Sequence, residues 1–351
     1  MPNTGIKQLL EPAFIKELLP PVLAAYYKGF EKLTDLTLTV YKQHYRDRHH
    51  WRFVIGCQLD LVINHQNQKE LVVIGASSDG SKKIAYDNLK LLRSLGFDHG
   101  PLQVTAPIAY LPHLQAVIYE GVAGQPLYHY LEKQPTMGEM LKPLELASSW
   151  LRKLHALSPQ TFPAEAIRGY DFQVIIKYLQ GFIPTFQKFS TRQGQKLGDA
   201  LNKIQKYEQQ LRLEPPHLVY GDYHPENIIL SSLDSPLLTM IDLTDLSLGD
   251  RYRDIGTFLQ QFDFMSQRFL ARPDINNLKK HFVSGYFKES FHLLDAPDMM
   301  RINLFQALTA VRSSVWMFDY SYGRRASLEV LNDSLLYLEK IERHEVSINL
   351  R

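Results

Sequence analysis

Cysteine is almost missing from this chain. One residue in 351, Cys57, excludes an internal disulfide framework and suits a reducing compartment. An excess of one charge is missing too: 39 Lys and Arg against 37 Asp and Glu leave a net +2. That balance gives no global electrostatic case for nucleic acid or an anionic membrane as partner. No apolar run approaches the roughly 20 residues of a membrane span. The first residues, Met1-Pro2-Asn3-Thr4-Gly5, do not lead from a basic region into an apolar core. Internal repeats and low-complexity segments are also absent. What remains is 45% hydrophobic and 22% charged, ordinary for a globular chain able to bury a sizeable core. Its length suits two domains or one two-lobed unit, and a soluble cytoplasmic enzyme is the expectation.

The most informative stretch is Val219-Tyr220-Gly221-Asp222-Tyr223-His224-Pro225-Glu226-Asn227-Ile228-Ile229-Leu230. It sets an Asp and an Asn five residues apart on a loop that runs into strand-forming residues. A second Asp, Asp242, follows Asn227 by 15 residues at the end of the next apolar strand. Phosphoryl transfer from a nucleotide needs a group to position the attacking hydroxyl and oxygen ligands for the Mg²⁺ that bridges the phosphates. Asp222 suits the first task; Asn227 and Asp242 suit the second. Protein kinases carry the same Asp-x-x-x-x-Asn loop and a metal-binding Asp a short hairpin later.

Gly-Asp-x-His-Pro-x-Asn, followed by Ile241-Asp242-Leu243-Thr244-Asp245 and Gly249-Asp250-Arg251-Tyr252-Arg253-Asp254, resembles the aminoglycoside phosphotransferase and choline kinase-like family. The motifs that carry the resemblance span residues 217 to 256, and Tyr220 stands where the family usually has His. The resemblance implies an α+β, two-lobed protein-kinase-like fold that phosphorylates small molecules. It implies a small antiparallel-sheet N-lobe with one helix and a larger, mainly helical C-lobe. It also implies Asp222 as catalytic base, Asn227 and Asp242 as Mg²⁺ ligands, and Gly249-Asp250 opening the next helix.

Residues 6 to 33 read as helical with a break at Pro20-Pro21. Strands are expected at Leu36–Tyr41, Trp51–Ile63 and Glu70–Ala76, with Asn64–Gln68 as the polar hairpin loop. Ala85, Leu89, Leu92 and Leu95 fall on one face of a helix from Ser81 to about Leu95, ended by Gly96. Further strands are expected near residues 103–105 and 115–119. Beyond residue 126 the chain reads as helical apart from the catalytic loop and its flanking strands. The expected division is a nucleotide-binding lobe over 1–120 with an N-terminal helical extension over 1–33. A hinge over 121–126 and a helical lobe over 127–351 complete it.

The hinge region offers Tyr119, Glu120 and Val122 as holders of adenine, with glycines that let a ligand approach closely. An ordinary strand-to-helix loop would look the same. The nucleotide-gripping residues depart from the kinase pattern. Where Val-Ala-Ile-Lys is expected, the chain has Val72-Val73-Ile74-Gly75. The positive charge must then come from elsewhere: Lys82 or Lys83 at the start of the following helix, or Arg46 and Arg48 in a first hairpin tip without glycine. Arginine can clamp phosphate through its bidentate fork. An exposed polar hairpin and a solvated helix turn are the plainer alternatives. His44, His49 and His50 do not make a metal site by spacing. His224 and Pro225 are expected to shape the loop, Asp250 to cap the next helix and Asp254 to anchor the catalytic loop.

The acceptor side is weakly marked. Asp245 could face a cationic or hydroxylated substrate. Trp316 and Asp319 lie in an aromatic cluster, Val315 to Tyr322, that would suit a cation but more often forms helix core. The reading is an ATP- and Mg²⁺-dependent kinase acting on a hydroxyl of a small metabolite or aminoglycoside-like acceptor, with no nucleic-acid or membrane partner. A catalytically impaired kinase-fold binding protein is the alternative, favoured by the missing strand lysine and glycine loop. A protein kinase fits less well, because Asp242-Leu243-Thr244 replaces Asp-Phe-Gly.

Overall fold

A computed structural model describes residues 6–47, 50–162, 167, 169–211, 215–234, 236–319 and 323–349. In chain order the main elements are α1 (Pro12–Tyr26), β1 (Phe30–Asp47), β2 (His50–Ile63), β3 (Gln66–Ser77) and α2 (Ser81–Leu92). The short strands β4 (Leu102–Val104), β5 (Pro107–Leu111), β6 (Ala116–Glu120) and β7 (Gln125–Pro126) follow. Helices α3 (Leu127–Glu132), α4 (Met137–His155), α5 (Phe172–Gln180), α6 (Ile183–Phe189) and α7 (Thr191–Leu211) come next. Strands β8 (His217–Val219), β9 (Ile228–Leu230), β10 (Leu238–Met240) and β11 (Ser247–Gly249) flank the catalytic loop. The chain closes with α8 (Tyr252–Ser266), α9 (Arg272–Phe287), α10 (Ala296–Asp319) and α11 (Arg324–Glu342). Two compact units result: residues 1–124 with 229–245, and residues 125–228 with 246–351.

The first unit is built on an antiparallel sheet ordered β1-β2-β3-β6-β5. Strict alternation puts Trp51, Phe53, Ile55, Cys57, Leu59, Leu61 and Ile63 of β2 on one face, joined by Val72, Ile74 and Ala76 of β3. Helix α1 covers that face with Ile15, Leu19 and Leu23, all fully buried. The helix continues through Pro20-Pro21 to Tyr26, so the expected interruption does not occur. Each proline removes a helical hydrogen bond and costs about 3 kcal/mol. Burying three large aliphatic side chains offsets this by roughly 5–9 kcal/mol. The helical reading also ran too far, because β1 already begins at Phe30.

The β2–β3 turn is tighter than the expected five-residue loop. Only Asn64 and His65 lie outside the strands, both left-handed at φ 50 and 64, the geometry of a two-residue hairpin turn. Helix α2 ends at Leu92, and the chain reverses at Gly96 with φ 86, the conformation expected of a terminating glycine. Strand β5 was not foreseen. Prolines at 107 and 112 bracket it, and it is tolerated because it sits at the sheet edge. Strand β4 leaves the main sheet and pairs in parallel with β10, a pairing no local pattern announces. Cys57 is fully buried in the core, and desolvation pushes its thiol up to about 12, so it is unreactive.

The second unit is helical, with α8 at its centre. Its buried residues point all round the helix, from Tyr252 and Ile255 to Phe258, Leu259 and Phe262, as expected of a helix enclosed by others. Phe258 stacks on Phe282 of α9 at 4.0 Å between ring centroids. Among the described residues no helix is long and apolar enough to cross a membrane.

Candidate active site

The catalytic loop follows β8, and its shape is imposed by charged groups buried beneath it. Asp254 of α8 is fully buried and accepts the backbone N–H of Tyr220 at 2.6 Å and of Gly221 at 2.7 Å. Its neighbour Arg253 donates to the Gly221 carbonyl at 3.0 Å and to Ser247 Oγ at 3.1 Å. Consecutive helix residues thus hold the amide and carbonyl of one peptide stretch, where Gly221 takes φ 92. His155 closes the network, with Nε2 3.0 Å from Asp254 and Nδ1 2.7 Å from the Tyr286 hydroxyl. Burial lowers the His155 pKa, and the Asp254 carboxylate pulls it partly back. Tyr220 is fully buried, edge-on to Trp150 at 5.8 Å, so its ring serves as core. The anchoring role read for Asp254 in the sequence is the role it plays.

The loop presents Asp222, His224 and Asn227 together. His224 Nε2 lies 3.3 Å from Asp222 Oδ2, while Nδ1 accepts the Glu226 N–H at 3.3 Å. With a proton on Nε2 the ring donates to the carboxylate; with Nε2 bare it accepts from Asn227 Nδ2, which lies 3.0 Å away. Asn227 donates from Nδ2 to the Asp222 carbonyl at 3.1 Å, and the same Nδ2 lies 3.0 Å from His224 Nε2. The Asp222 side chain is 45% exposed, yet surrounding protein still desolvates the carboxylate and acts to raise its pKa. His224, then Arg312 and Arg253, outweigh that effect and hold the carboxyl well below the ordinary carboxylate range. Asp250 accepts the Tyr252 N–H at 2.9 Å at the start of α8 and pairs with Arg301, as a helix-capping group should.

In the first unit Asp242 stands just beyond β10 in the left-handed region, at φ 53. Thr244 Oγ donates to Asp242 Oδ1, and Lys82 Nζ lies 3.5 Å from the same oxygen. The Lys82 side chain is only 6% exposed. It crosses Gly75: a Cβ built there would lie 3.8 Å from Lys82 Cδ and Cε. Lys82 opens the buried stripe of α2, three residues before Ala85 and ahead of Asn88, Leu89 and Leu92. Asn88, which the sequence reading overlooked, donates to the Leu243 carbonyl at 2.7 Å and ties α2 to the Asp242 segment. Lys83 behaves as a solvated charge, 2.6 Å from Asp87 on the outer face.

The residues read as adenine holders, Tyr119, Glu120 and Val122, also lie in the first unit. Tyr119 pairs with Val73 across β6 and β3. Its hydroxyl is pushed up first by burial and then by the Asp242 carboxylate, so the side chain shares the field of that group. Glu120 donates its N–H to Ala106 O at 2.8 Å and accepts from Thr105 Oγ at its carbonyl. Its carboxylate takes the Tyr26 hydroxyl at 3.0 Å. Val122 follows, partly exposed. Gly124 takes φ 133, and a Cβ there would lie 2.1 Å from the Leu230 carbonyl, which only glycine permits.

The remaining sequence candidates are Arg46, Arg48, Asp245, Trp316 and Asp319. Arg46 belongs to β1, but its side chain is outside the described residues, as is all of Arg48. Asp245 is exposed. Trp316 is 43% exposed on α10, while its neighbours Val315 and Met317 are buried. Phe318 stacks on Phe186 at 4.2 Å, so this part of the aromatic cluster is core. Asp319 ends α10, with its side chain outside the described residues. Among the described residues no group of three His, Cys, Asp or Glu side chains could hold a metal. Asn227 in the second unit and Asp242 in the first each carry a hard oxygen of the kind Mg²⁺ takes.

Solved structures place this arrangement in a class. An amicoumacin kinase complexed with AMP-PNP, Ca²⁺ and Ami superposes with a TM-score of 0.60 at 13% identity, covering 97% of this chain and 94% of its own. A spectinomycin phosphotransferase with ADP and spectinomycin gives 0.59 at 14%, covering 94% and 98%. An ethanolamine kinase of Plasmodium vivax gives 0.57 at 13%, covering 88% and 83%. The fold is therefore the two-lobed, protein-kinase-like fold of small-molecule phosphotransferases. A model of the Phosphotransferase enzyme family (APH) matches residues 76–287, more than half of the chain, and the chain belongs to that family. No curated protein matches it in sequence.

Proposed function

We propose that the chain transfers the γ-phosphate of ATP to a hydroxyl of a small metabolite or aminoglycoside-like acceptor. The observation that carries this reading is Asp222, an accessible carboxylate kept ionised by His224 on a loop whose backbone is clamped by Asp254 and Arg253. Asp222 orients the acceptor hydroxyl and receives its proton. The hydroxyl oxygen bonds to the γ-phosphorus as the β–γ bridging P–O bond breaks, and ADP leaves with that electron pair. A carboxylate of such low basicity acts mainly by positioning, which suits a transfer whose transition state needs little proton removal. Asn227 through Oδ1 and Asp242 through its carboxylate would hold Mg²⁺. When bound, the ion supplies neutralisation of the charge developing on the phosphates.

Other roles in this reading follow their chemistry. Tyr119, Glu120 and Val122 flank the adenine, with Glu120 already bonded to Ala106, Thr105 and Tyr26, and Arg46 and Arg48 lend charge to the phosphates. Asp245, Trp316 and Asp319 are candidates for the acceptor side. The test is ADP release from Mg-ATP across a panel of amino alcohols, sugars and aminoglycosides. One acceptor at least should turn over, and Asp222→Asn should lower kcat by about two to four orders of magnitude with nucleotide affinity unchanged. Full turnover in Asp222→Asn would remove the base from the scheme.

A further inference from the structure

We infer that Lys82 binds the nucleotide phosphates, a lysine carried by helix α2 that fills the space Gly75 leaves on strand β3. The inference rests on the functional reading above and deepens it. Three observations carry it. First, Lys82 is nearly buried, yet among the described residues its ammonium has a single hydrogen-bond partner, Asp242 Oδ1 at 3.5 Å. Charge-assisted pairs normally close to about 2.7–2.9 Å. Among the described residues the other buried lysine, Lys279, meets that standard, with Asp263 at 2.9 Å and the Ile348 carbonyl at 2.8 Å. An ammonium has three protons to place, and leaving them unplaced in a buried setting is costly. A ligand with several oxygen acceptors beside Asp242 resolves that cost.

Second, the lysine stem runs across Gly75, whose cross-strand partner is Val117. Kinases place their phosphate-pairing lysine on this strand. Here the strand position has no side chain, and the space is taken by a lysine from the neighbouring helix. Third, the placement is enforced. Lys82 lies in the buried stripe of α2, and Asn88 in the same stripe bonds to the Leu243 carbonyl beside Asp242. Lys82 is 5% exposed, so its stem lies against the sheet rather than in solvent.

A plainer role is that Lys82 only neutralises Asp242. Calorimetry with ATP in EDTA and with adenosine separates the two, using Lys82→Met placed in an Asp242→Asn background. Contact with phosphate predicts that ATP binding weakens about tenfold or more while adenosine binding is unchanged. A change under about threefold for ATP, or a parallel fall for adenosine, overturns the inference. The relocation variant Lys82→Ala with Gly75→Lys is the second arm, since a side chain at 75 meets Val117 at an ordinary 3.5 Å. Recovery of ATP affinity supports the inference; no recovery with adenosine still bound overturns it. A native protein that binds neither ATP nor adenosine would overturn the functional reading as well. Native binding that ignores Lys82 overturns this inference alone.

Discussion

Asp242 is a carboxylate in a backbone conformation that few residues with a side chain adopt, φ 53, where Asp is among the better tolerated. Such conformations cluster where a group must be aimed, and this one carries Lys82 and Thr244 on one oxygen. At the same scale His224 sets the state of Asp222. Because the folded pKa of Asp222 is depressed, its carboxylate is ionised through the neutral range and protonates only as pH falls below the usual carboxylate values. Replacing His224 with Gln removes the strongest lowering influence while desolvation stays, so the acid limb of kcat/KM should move to higher pH. Superimposable pH profiles for the native enzyme and His224→Gln would refute that hold.

Helix α2 shows what one element contributes. Its stripe of Lys82, Ala85, Asn88, Leu89 and Leu92 has helical spacing, and the apolar part of it could be read directly. The polar members could not, because a lysine three residues before Ala85 is as often the solvated end of a stripe as its first buried position. Asn88→Ala should cost about 1–3 kcal/mol, the penalty of leaving the buried Leu243 carbonyl unsatisfied. It should also raise the KM for Mg-ATP, since the bond steadies the segment beside Asp242; denaturant titration and steady-state kinetics read the two effects. Stability lost with KM unchanged would reduce Asn88 to a packing residue. In α1 the sequence misleads differently: Pro20-Pro21 reads as a break, and core burial overrides it.

At the scale of the whole molecule, the second unit keeps charges deep inside it. Asp263 of α8 meets Lys279 of α9 at 2.9 Å and also pairs with Arg272, while Lys279 reaches the Ile348 carbonyl near the chain end. Desolvation acts to raise the Asp263 pKa, but Lys279 and Arg272 outweigh it and the net direction is down. The stability this carboxylate contributes is therefore present above about pH 3.9, its unfolded value, and is lost as pH falls through the lower folded one. Asp263→Asn leaves the buried Lys279 uncompensated and should cost about 3–5 kcal/mol in chemical denaturation. Lys279→Met should cost clearly less, because Arg272 still partners Asp263. Equal losses would mean that Arg272 contributes nothing to the pair.

The sequence by itself determined what depends on neighbours along the chain. It fixed the Asp-x-x-x-x-Asn loop with its trailing Asp, the alternation of β2 and β3, the apolar face of α2 and the reversal at Gly96. Each is set by local periodicity or by the few residue types that one backbone shape admits. Tertiary structure alone decided where the long-range partners meet. Lys82 finds Asp242 from 160 residues away, β4 finds β10, and Asp254 takes two amides of a loop more than 30 residues earlier. Hydrogen bonds and ion pairs carry no periodicity, so only the folded packing of helix on strand determines which charge lies beside which.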